Sequence, residues 1–484
     1  MEGFADVLIA DDGHPCAGFK VTDTVGGELW GITEGKGVEL LQYLDHFELA
    51  DFAFLRGSSN RIYWLSSSGV DTRSLFSWSG DHGLAVEYSD PDWDVDGFPV
   101  GGPGVWFDPQ GSPCIVSTQR ERVSYAALTD EGEMRLAEFQ KLLGPEKVFA
   151  IIELENRAGC GLIAEVHDDG PLTYVPFVRE TTLDRRRDSS DEVQESCIAA
   201  RKRFVNRPEL VGSELSGMEH FWITSESDDP VLCYRVPAAG CSKPAGIVIR
   251  LHGGPGASDF WHFDFEAQIF SQAGFDCIMV NYRGSSGRGK RFRRSGMGQW
   301  GPGMLQGVWS AVAEAKVRCR ADGIPVVIQG HSFGGYLALI GASCAPNEVN
   351  LRCVVAINPM VDLGSFLEDP PPRWRAARQM LNEHVFGSTS APYDHAAVAN
   401  RSPVELLNPT TAPIILALGT ADDHIRTADV DDYVDRARAV GVSVEHLRLD
   451  GEGHVVALAQ NRIHLYERIL AFIGDHLTAS QCPN

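Results

Sequence analysis

The sequence predicts two domains: an all-β first domain and a larger α/β second domain, in which strands and helices alternate around a mainly parallel sheet. Three observations lead to this class. The chain has 484 residues, which is too long for one ordinary hydrophobic core. Short strand-like runs separated by turn residues occupy residues 1 to about 180. From about residue 218, apolar runs typical of buried strands alternate with helical stretches, as in parallel sheets covered by helices.

A loose repeat runs through the predicted β domain. An aromatic strand, a turn, an apolar strand and a polar strand recur near residues 52–78, 104–128 and 148–178. The spacing of roughly 45 residues is that of one β-propeller blade. About 210 residues precede the second domain, which allows four or five blades of this size. We therefore expect residues 1–205 to form a propeller-like domain with a reduced number of blades.

The stretch from about residue 181 to 217 differs from both of its neighbours. It carries charged runs at 184–188 and 201–203. We interpret it as the join between the domains, partly helical, with its arginines facing solvent. The second domain is accordingly expected to cover residues 206–484.

Six runs rich in apolar residues are predicted as strands of the second domain. They lie at 246–251, 277–281, 326–329, 353–357, 414–418 and 443–449. Helices are expected between them, for example at 304–320, 428–440 and 456–477. Ligands of such sheets bind beyond the carboxyl ends of the strands, so catalytic residues are expected in the loops that follow strands.

The sequence Gly-His-Ser-Phe-Gly-Gly at residues 330–335 lies between a predicted strand and an apolar helical stretch. By itself, G-x-S-x-G also fits a glycine-rich turn with a chance serine. Between a strand and a helix it predicts a nucleophile elbow, in which a strained turn lifts the hydroxyl of Ser332 clear of the sheet edge. The glycines leave room for this turn and let the helix approach the strand.

A serine nucleophile needs a base, and the base needs an acid that orients it. In α/β-hydrolases the three residues occur in the order Ser, Asp or Glu, His, each on a loop after a strand. Asp422 follows the strand predicted at 414–418, and His454 follows the strand that ends at Leu449. Together with the serine they occur in the required order.

Neighbouring residues offer alternatives to two of these assignments. Asp423 competes with Asp422, because a G-x-x-D sequence is also common in loops. His424 and His446 compete with His454, although His446 lies inside a predicted strand rather than after it.

Acyl transfer also needs backbone N–H groups aimed at the negative charge that develops on the carbonyl oxygen. One is expected from Phe333, the residue after the nucleophile. The other is expected from the glycine-rich loop at 252–256, where Gly254 is the best candidate for the oxyanion hole.

The second domain resembles the prolyl oligopeptidase family of serine peptidases, which includes acylaminoacyl peptidases and dipeptidyl peptidases. The resemblance covers about residues 206–484 and rests on motifs at 250–255, 281–287, 330–336, 401–403, 419–425 and 451–454. It implies a C-terminal α/β-hydrolase domain capped by an N-terminal β-propeller that limits access to small or unstructured substrates. It also maps the family's catalytic triad onto Ser332, Asp422 and His454.

Composition and motif content indicate which partners, cofactors and cellular location to expect. The net charge of −24 argues against nucleic acid, and no apolar run approaches a membrane span. The eleven cysteines include no C-x-x-C pair and no secretory leader is evident, so we expect a reduced, cytoplasmic protein. Without zinc-type spacing or a dinucleotide fingerprint, neither a metal nor a cofactor is expected. The sequence leaves open whether the chain forms a homo-oligomer.

These observations predict a serine hydrolase that cleaves amide bonds of small peptides or acylated amino compounds through an acyl-enzyme. An esterase, lactonase or acyl transferase acting on a small metabolite is the first alternative, because one nucleophile elbow serves all acyl transfers. A non-catalytic binding protein with the same fold is the second alternative.

Overall fold

A computed structural model describes residues 4–10, 13–22, 26–33, 37–57, 61–99, 101–154, 159–184, 192–199, 203–224, 230–388 and 393–478. The chain divides into two compact units. Unit 1 comprises residues 1–214 with two short segments from later in the chain, 260–263 and 287–291. Unit 2 comprises 215–259, 264–286 and 292–484. The boundary expected at 205/206 stays a prediction.

In the described part of unit 1, the strands form four antiparallel sheets that follow one another along the chain. The first sheet contains β1 Asp6–Ile9, β2 Pro15–Thr22, β3 Gly26–Thr33 and β4 Gly37–Leu44. After helix α1 (His46–Asp51), the second contains β5 Ala53–Gly57, β6 Ile62–Ser66, β7 Ser74–Ser79 and β8 Gly83–Tyr88. The third contains β9 Val105–Phe107, β10 Pro113–Gln119 and β11 Val123–Ala127. After helix α2 (Asp130–Leu143), the fourth contains β12 Val148–Glu153, β13 Cys160–Val166, β14 Thr173–Asp184, β15 Glu192–Ala199 and β16 Phe204–Val205.

Hydrophobic cores join neighbouring sheets of unit 1 in chain order. The core between the first and second sheets contains Leu29 and Trp64. The core between the second and third contains Leu65 and Val116. The third and fourth sheets share a core with helix α2, around Phe139. Small antiparallel sheets packed in chain order are typical of propeller blades, and the predicted all-β, propeller-like class is confirmed.

The fourth sheet extends further along the chain than expected. Strands β14 and β15 pair antiparallel from Phe177 opposite Ala199 to Asp184 opposite Glu192. In the stretch expected to be a partly helical join, the described residues 181–184 and 192–199 therefore belong to a β-hairpin. Among the described residues of this stretch, helical character is confined to one 3₁₀ turn at Pro208–Leu210. The arginines at 185–187 lie outside the described residues.

Unit 2 contains an eight-stranded sheet in the described chain, with the order β17-β18-β20-β19-β21-β22-β23-β24. Its strands are β17 Glu219–Thr224, β18 Pro230–Val236, β19 Gly246–Leu251, β20 Phe275–Val280, β21 Val326–His331, β22 Leu351–Ile357, β23 Ile414–Gly419 and β24 Val444–Leu449. The pairs from β20 to β24 are parallel, whereas β17 and β18 are antiparallel additions at one edge. All six predicted strands are present.

The helices of unit 2 cover the sheet between successive strands. They are α3 Phe265–Gln272, α5 Gln306–Arg318, α6 Phe333–Cys344, α7 Leu363–Glu368, α8 Arg378–Phe386, α9 His395–Ala399, α10 Pro403–Leu406, α11 Thr427–Ala439 and α12 Ala459–Thr478; α4, Gly289–Arg294, begins within the segment assigned to unit 1. Side chains alternate across a strand, and both Ile247 and Val248 of β19 are fully buried. Both faces of the sheet are therefore covered, as the apolar runs predicted.

Candidate active site

Ser332 lies in a sharp turn between β21 and α6. Its backbone has φ 57° and ψ −119°, a conformation that is uncommon for residues other than glycine. A Cβ atom on Gly330 would lie 2.2 Å from the backbone of Gly334, and one on Gly334 would lie 2.0 Å from the carbonyl oxygen of Leu251. These two positions require glycine because strand and helix backbones meet there. The geometry is that of the predicted nucleophile elbow.

The structure brings Ser332, His454 and Asp422 into one hydrogen-bonded chain. His454 Nε2 lies 2.9 Å from Ser332 Oγ, and His454 Nδ1 lies 2.8 Å from Asp422 Oδ2. Nδ1–H donates to the carboxylate, so Nε2 is left to accept the serine hydroxyl proton. The three residues follow β21, β23 and β24, so the parallel sheet places all of them at its carboxyl edge.

Asp422 is held as an oriented carboxylate. Its side chain is 0% exposed, and its Oδ1 accepts hydrogen bonds from the backbone N–H groups of His424 and Ile425 at 2.7 and 3.2 Å. Burial acts to raise its pKa, but the hydrogen bonds from His454 and from these amides outweigh burial and lower the pKa below its usual value. The group is therefore ionised at neutral pH.

The residues weighed as alternatives occupy different surroundings. The side chain of Asp423 is 70% exposed and accepts from His424 Nδ1 at 2.8 Å. His446 lies within β24, as expected. His424 stacks on His454, with ring centroids 4.1 Å apart and planes inclined by 18°.

Several residues that the sequence reasoning did not identify hold the loop of His454. The carbonyl oxygen of His454 accepts hydrogen bonds from Asn358 Nδ2 and His331 Nε2, each at 2.7 Å. The carboxylate of Glu452 accepts from the backbone N–H groups of Ala457 and Leu458. His331 is the last residue of β21 and the variable residue of the G-x-S-x-G motif, whereas Asn358 directly follows β22. Position after a strand was therefore an available indication for Asn358 alone.

The predicted oxyanion loop lies beside the serine. A Cβ atom on Gly253 would be 3.5 Å from Ser332 Cβ, and Gly254 has φ +123°, with no room for a Cβ atom beside Gly256. Phe333 is the first residue of α6, where backbone N–H groups have no partner within the helix. The use of the Gly254 and Phe333 amides as oxyanion donors stays a prediction.

Hydrogen bonds with Tyr282 and Ser285 hold the start of the loop at 252–256. Tyr282 Oη donates to the carbonyl oxygen of His252 at 2.6 Å, and His252 Nε2 lies 2.8 Å from Ser285 Oγ. Both Tyr282 and Ser285 belong to the motif at 281–287 that carried part of the resemblance. That motif therefore contributes to the shape of the site rather than to the triad itself.

Among the helices that the structure describes, none combines the length and the apolar character that crossing a bilayer requires. In the same residues, one group of three side chains has the donor atoms and spacing to hold a metal ion: Asp422, His424 and His454.

Comparison with known proteins gives a consistent family match. Residues 261–480 match the model of the prolyl oligopeptidase family of peptidases. The chain is 30% identical over 240 residues to "Dipeptidyl peptidase family member 6" of Caenorhabditis elegans, covering 50% of this chain and 32% of that protein. It is 27% identical over 418 residues to "Dipeptidyl aminopeptidase BIII" of Pseudoxanthomonas mexicana, covering 83% and 55%. The chain thus spans from a third to about half of the length of these relatives.

Solved structures share the fold along nearly the whole chain. A puromycin-hydrolyzing peptidase of Mycobacterium tuberculosis matches with a TM-score of 0.71 at 19% identity, over 98% of this chain and 70% of that one. An acylaminoacyl peptidase of Pyrococcus horikoshii matches with a TM-score of 0.65 at 13% identity, over 97% and 70%. At these identities the likeness is one of fold. It agrees with the division into an all-β part and an α/β-hydrolase part.

Proposed function

Because residues 261–480 match the model of the prolyl oligopeptidase family, we propose that this chain is a serine peptidase of that family, which cleaves amide bonds of small peptides or acylated amino compounds. The observation that carries the proposal is the hydrogen-bonded chain from Asp422 through His454 to Ser332, located at a nucleophile elbow. The names of the similar proteins, which are peptidases, favour amide over ester substrates. A binding protein without activity would have no need for this geometry.

The proposed reaction begins when Ser332 Oγ attacks the substrate carbonyl carbon while His454 Nε2 accepts its proton. The Asp422 carboxylate stabilises the imidazolium and keeps Nδ1–H pointing towards itself. The amides of Phe333 and Gly254 stabilise the tetrahedral oxyanion. His454 then protonates the departing amine, and water, activated by the same histidine, hydrolyses the acyl-enzyme.

A fluorophosphonate probe tests the nucleophile, since it reacts with activated serines. We expect stoichiometric labelling of Ser332, located by peptide mass analysis, and loss of labelling in Ser332→Ala. Ser343→Ala is the matched control, because Ser343 lies in the same helix α6 but bonds to Thr411 instead of to a histidine. Labelling of a different serine, or equal labelling of Ser332→Ala, would reject the assignment.

The choice of bond is tested with pairs of substrates that share one acyl group and differ only in an amide or ester linkage. We expect turnover of N-acylated or unblocked aminoacyl and dipeptidyl amides, abolished in Ser332→Ala. Hydrolysis of the esters with no measurable hydrolysis of any amide would support the esterase alternative instead.

A further inference from the structure

His424 adds a third metal-binding side chain to the two that the triad already contains. One donor atom each from Asp422, His424 and His454 lies within 4.8 Å of the other two. Nδ1 of His454 is 2.8 Å from Asp422 Oδ2, and Nδ1 of His424 is 3.9 Å from Asp422 Oδ1. All three side chains lie in unit 2.

The donor set fits zinc. Zinc is bound in proteins by imidazole nitrogen and carboxylate oxygen, and two histidines with one acidic residue form a known type of three-ligand site with an open fourth position. Donor atoms on one tetrahedral zinc ion are about 3.4 Å apart, and each imidazole binds the ion in its own ring plane. Binding therefore requires the two stacked rings, whose planes are now inclined by 18°, to tilt towards a common point as their nitrogens move by about 1 Å.

We propose that Asp422, His424 and His454 form an inhibitory Zn²⁺ site, in which the ion replaces the hydrogen bond on which the triad depends. To bind, Zn²⁺ takes the Nδ1 lone pair of His454, and the proton now on Nδ1 is released to water. The carboxylate of Asp422 then ligates the ion instead of orienting the imidazole. No oxidation or reduction is involved, and removal of the ion by a chelator restores the triad.

The third ligand is what distinguishes this site from an ordinary triad. A Ser-His-Asp arrangement offers one imidazole and one carboxylate, whereas His424 contributes a second imidazole stacked at 4.1 Å on the first. His424 is only 20% exposed, and its backbone N–H is already bonded to Asp422 Oδ1, so the ring is held beside the triad. His424 now pairs with Asp423, whose side chain is exposed. Because an exposed pair contributes little free energy, His424 can give up this contact to bind the ion.

Binding and inhibition can be measured separately, because the inhibition rests on the proposed peptidase function and metal binding does not. Co²⁺ serves as the spectroscopic probe for the site, since tetrahedral Co²⁺ absorbs visible light, and Zn²⁺ should displace it. His424→Phe keeps a ring that can stack on His454 but removes the donor nitrogens, and His424→Gln is a second variant in case the first does not fold. His464→Gln, which removes an exposed histidine of helix α12, is the control.

We expect one Co²⁺ per chain in the wild-type protein and in His464→Gln, with binding lost in both His424 variants. Zinc should inhibit the wild type reversibly. When the rate of each His424 variant is expressed relative to its own zinc-free rate, half inhibition should need at least about tenfold more zinc than in the wild type. Absence of the Co²⁺ spectrum in the wild type, or an unchanged spectrum in the His424 variants, would overturn the site. Zinc bound there without inhibition of an active enzyme would overturn the inhibitory role. If the protein has no hydrolase activity at all, the Co²⁺ spectra still decide whether the metal site exists.

Discussion

Asp422 and Asp423 are adjacent and chemically identical, yet their surroundings differ sharply. The first is buried, accepts two backbone N–H bonds and contacts His454, whereas the second is 70% exposed. Sequence spacing favoured Asp422 and left Asp423 as an alternative, since the decision depends on which carboxylate the turn directs inward. Asn358 and His331 could not be identified in this way, because they act on a residue about a hundred positions away.

Replacement of each aspartate by asparagine should therefore have very different effects. Asp422→Asn should lower turnover by about 10⁴-fold, because the amide no longer holds His454 in the required tautomer and charge state. Asp423→Asn should lower it by less than about tenfold, as for loss of an exposed polar contact. Turnover numbers of both variants, with thermal unfolding curves as a check on folding, give the comparison. A larger loss in Asp423→Asn would show that the register of the loop is wrong.

Among the secondary-structure elements, those of unit 2 were predictable because burial on both faces produces uninterrupted apolar runs. Strand β23, with six buried residues in succession, is an example. The first sheet of unit 1 falls outside the repeat predicted at 52–178, since β1 has only four residues and β4 carries many exposed and half-buried residues. The hairpin β14–β15 was mistaken for a partly helical join because its charged residues hid the strand pattern. Such a hairpin depends on pairing between strands, which local composition does not reveal.

The junction of β21 and α6 should tolerate no side chain at Gly334. Gly334→Ala should lower the free energy of unfolding by about 3 kcal/mol or more, because its Cβ atom would overlap the carbonyl oxygen of Leu251. Gly307→Ala is the matched control: it lies in helix α5, and its Cβ atom would make an ordinary 3.5 Å contact with Val231. The control should be neutral or stabilising by about 0.5–1 kcal/mol.

Denaturant unfolding of both variants and of the wild type, with fluorophosphonate labelling of the folded proteins, measures the difference. Equal stability of Gly334→Ala and Gly307→Ala would contradict the close approach of helix and strand.

At the scale of the whole molecule, unit 1 is completed by segments that lie far along the chain. Phe260 packs edge-on against Phe98, and Trp261 lies under Arg122. Lys290 forms a 2.6 Å ion pair with Glu48. The sequence predicts a single boundary between the domains and does not indicate these two segments. They are only four and five residues long, and their composition does not differ from that of the neighbouring residues of unit 2.

A fragment that begins at residue 206 should consequently be poorly soluble. It would contain Phe260 and Trp261 without Phe98 and Arg122, so aromatic surface that these two residues cover in the full chain would be exposed. Light scattering and sedimentation of the fragment and of the full chain measure the effect. Replacement of both aromatic residues by serine in the fragment should improve its solubility. A fragment that is monodisperse without these changes would contradict the prediction.

The assignment of residues 287–291 to unit 1 also affects the order in which the protein can be made. The chain is synthesised from its N-terminus, so all four sheets of unit 1 emerge from the ribosome before residues 287–291 do. Glu48 must then wait for its ion pair with Lys290, and the backbone N–H of Asp94 must wait for its hydrogen bond to the carbonyl oxygen of Gly287. Until residue 291 has been synthesised, Glu48 and Asp94 lack these partners. Unit 1 therefore stays incomplete during synthesis until strands β17 to β20 of unit 2 have already been translated.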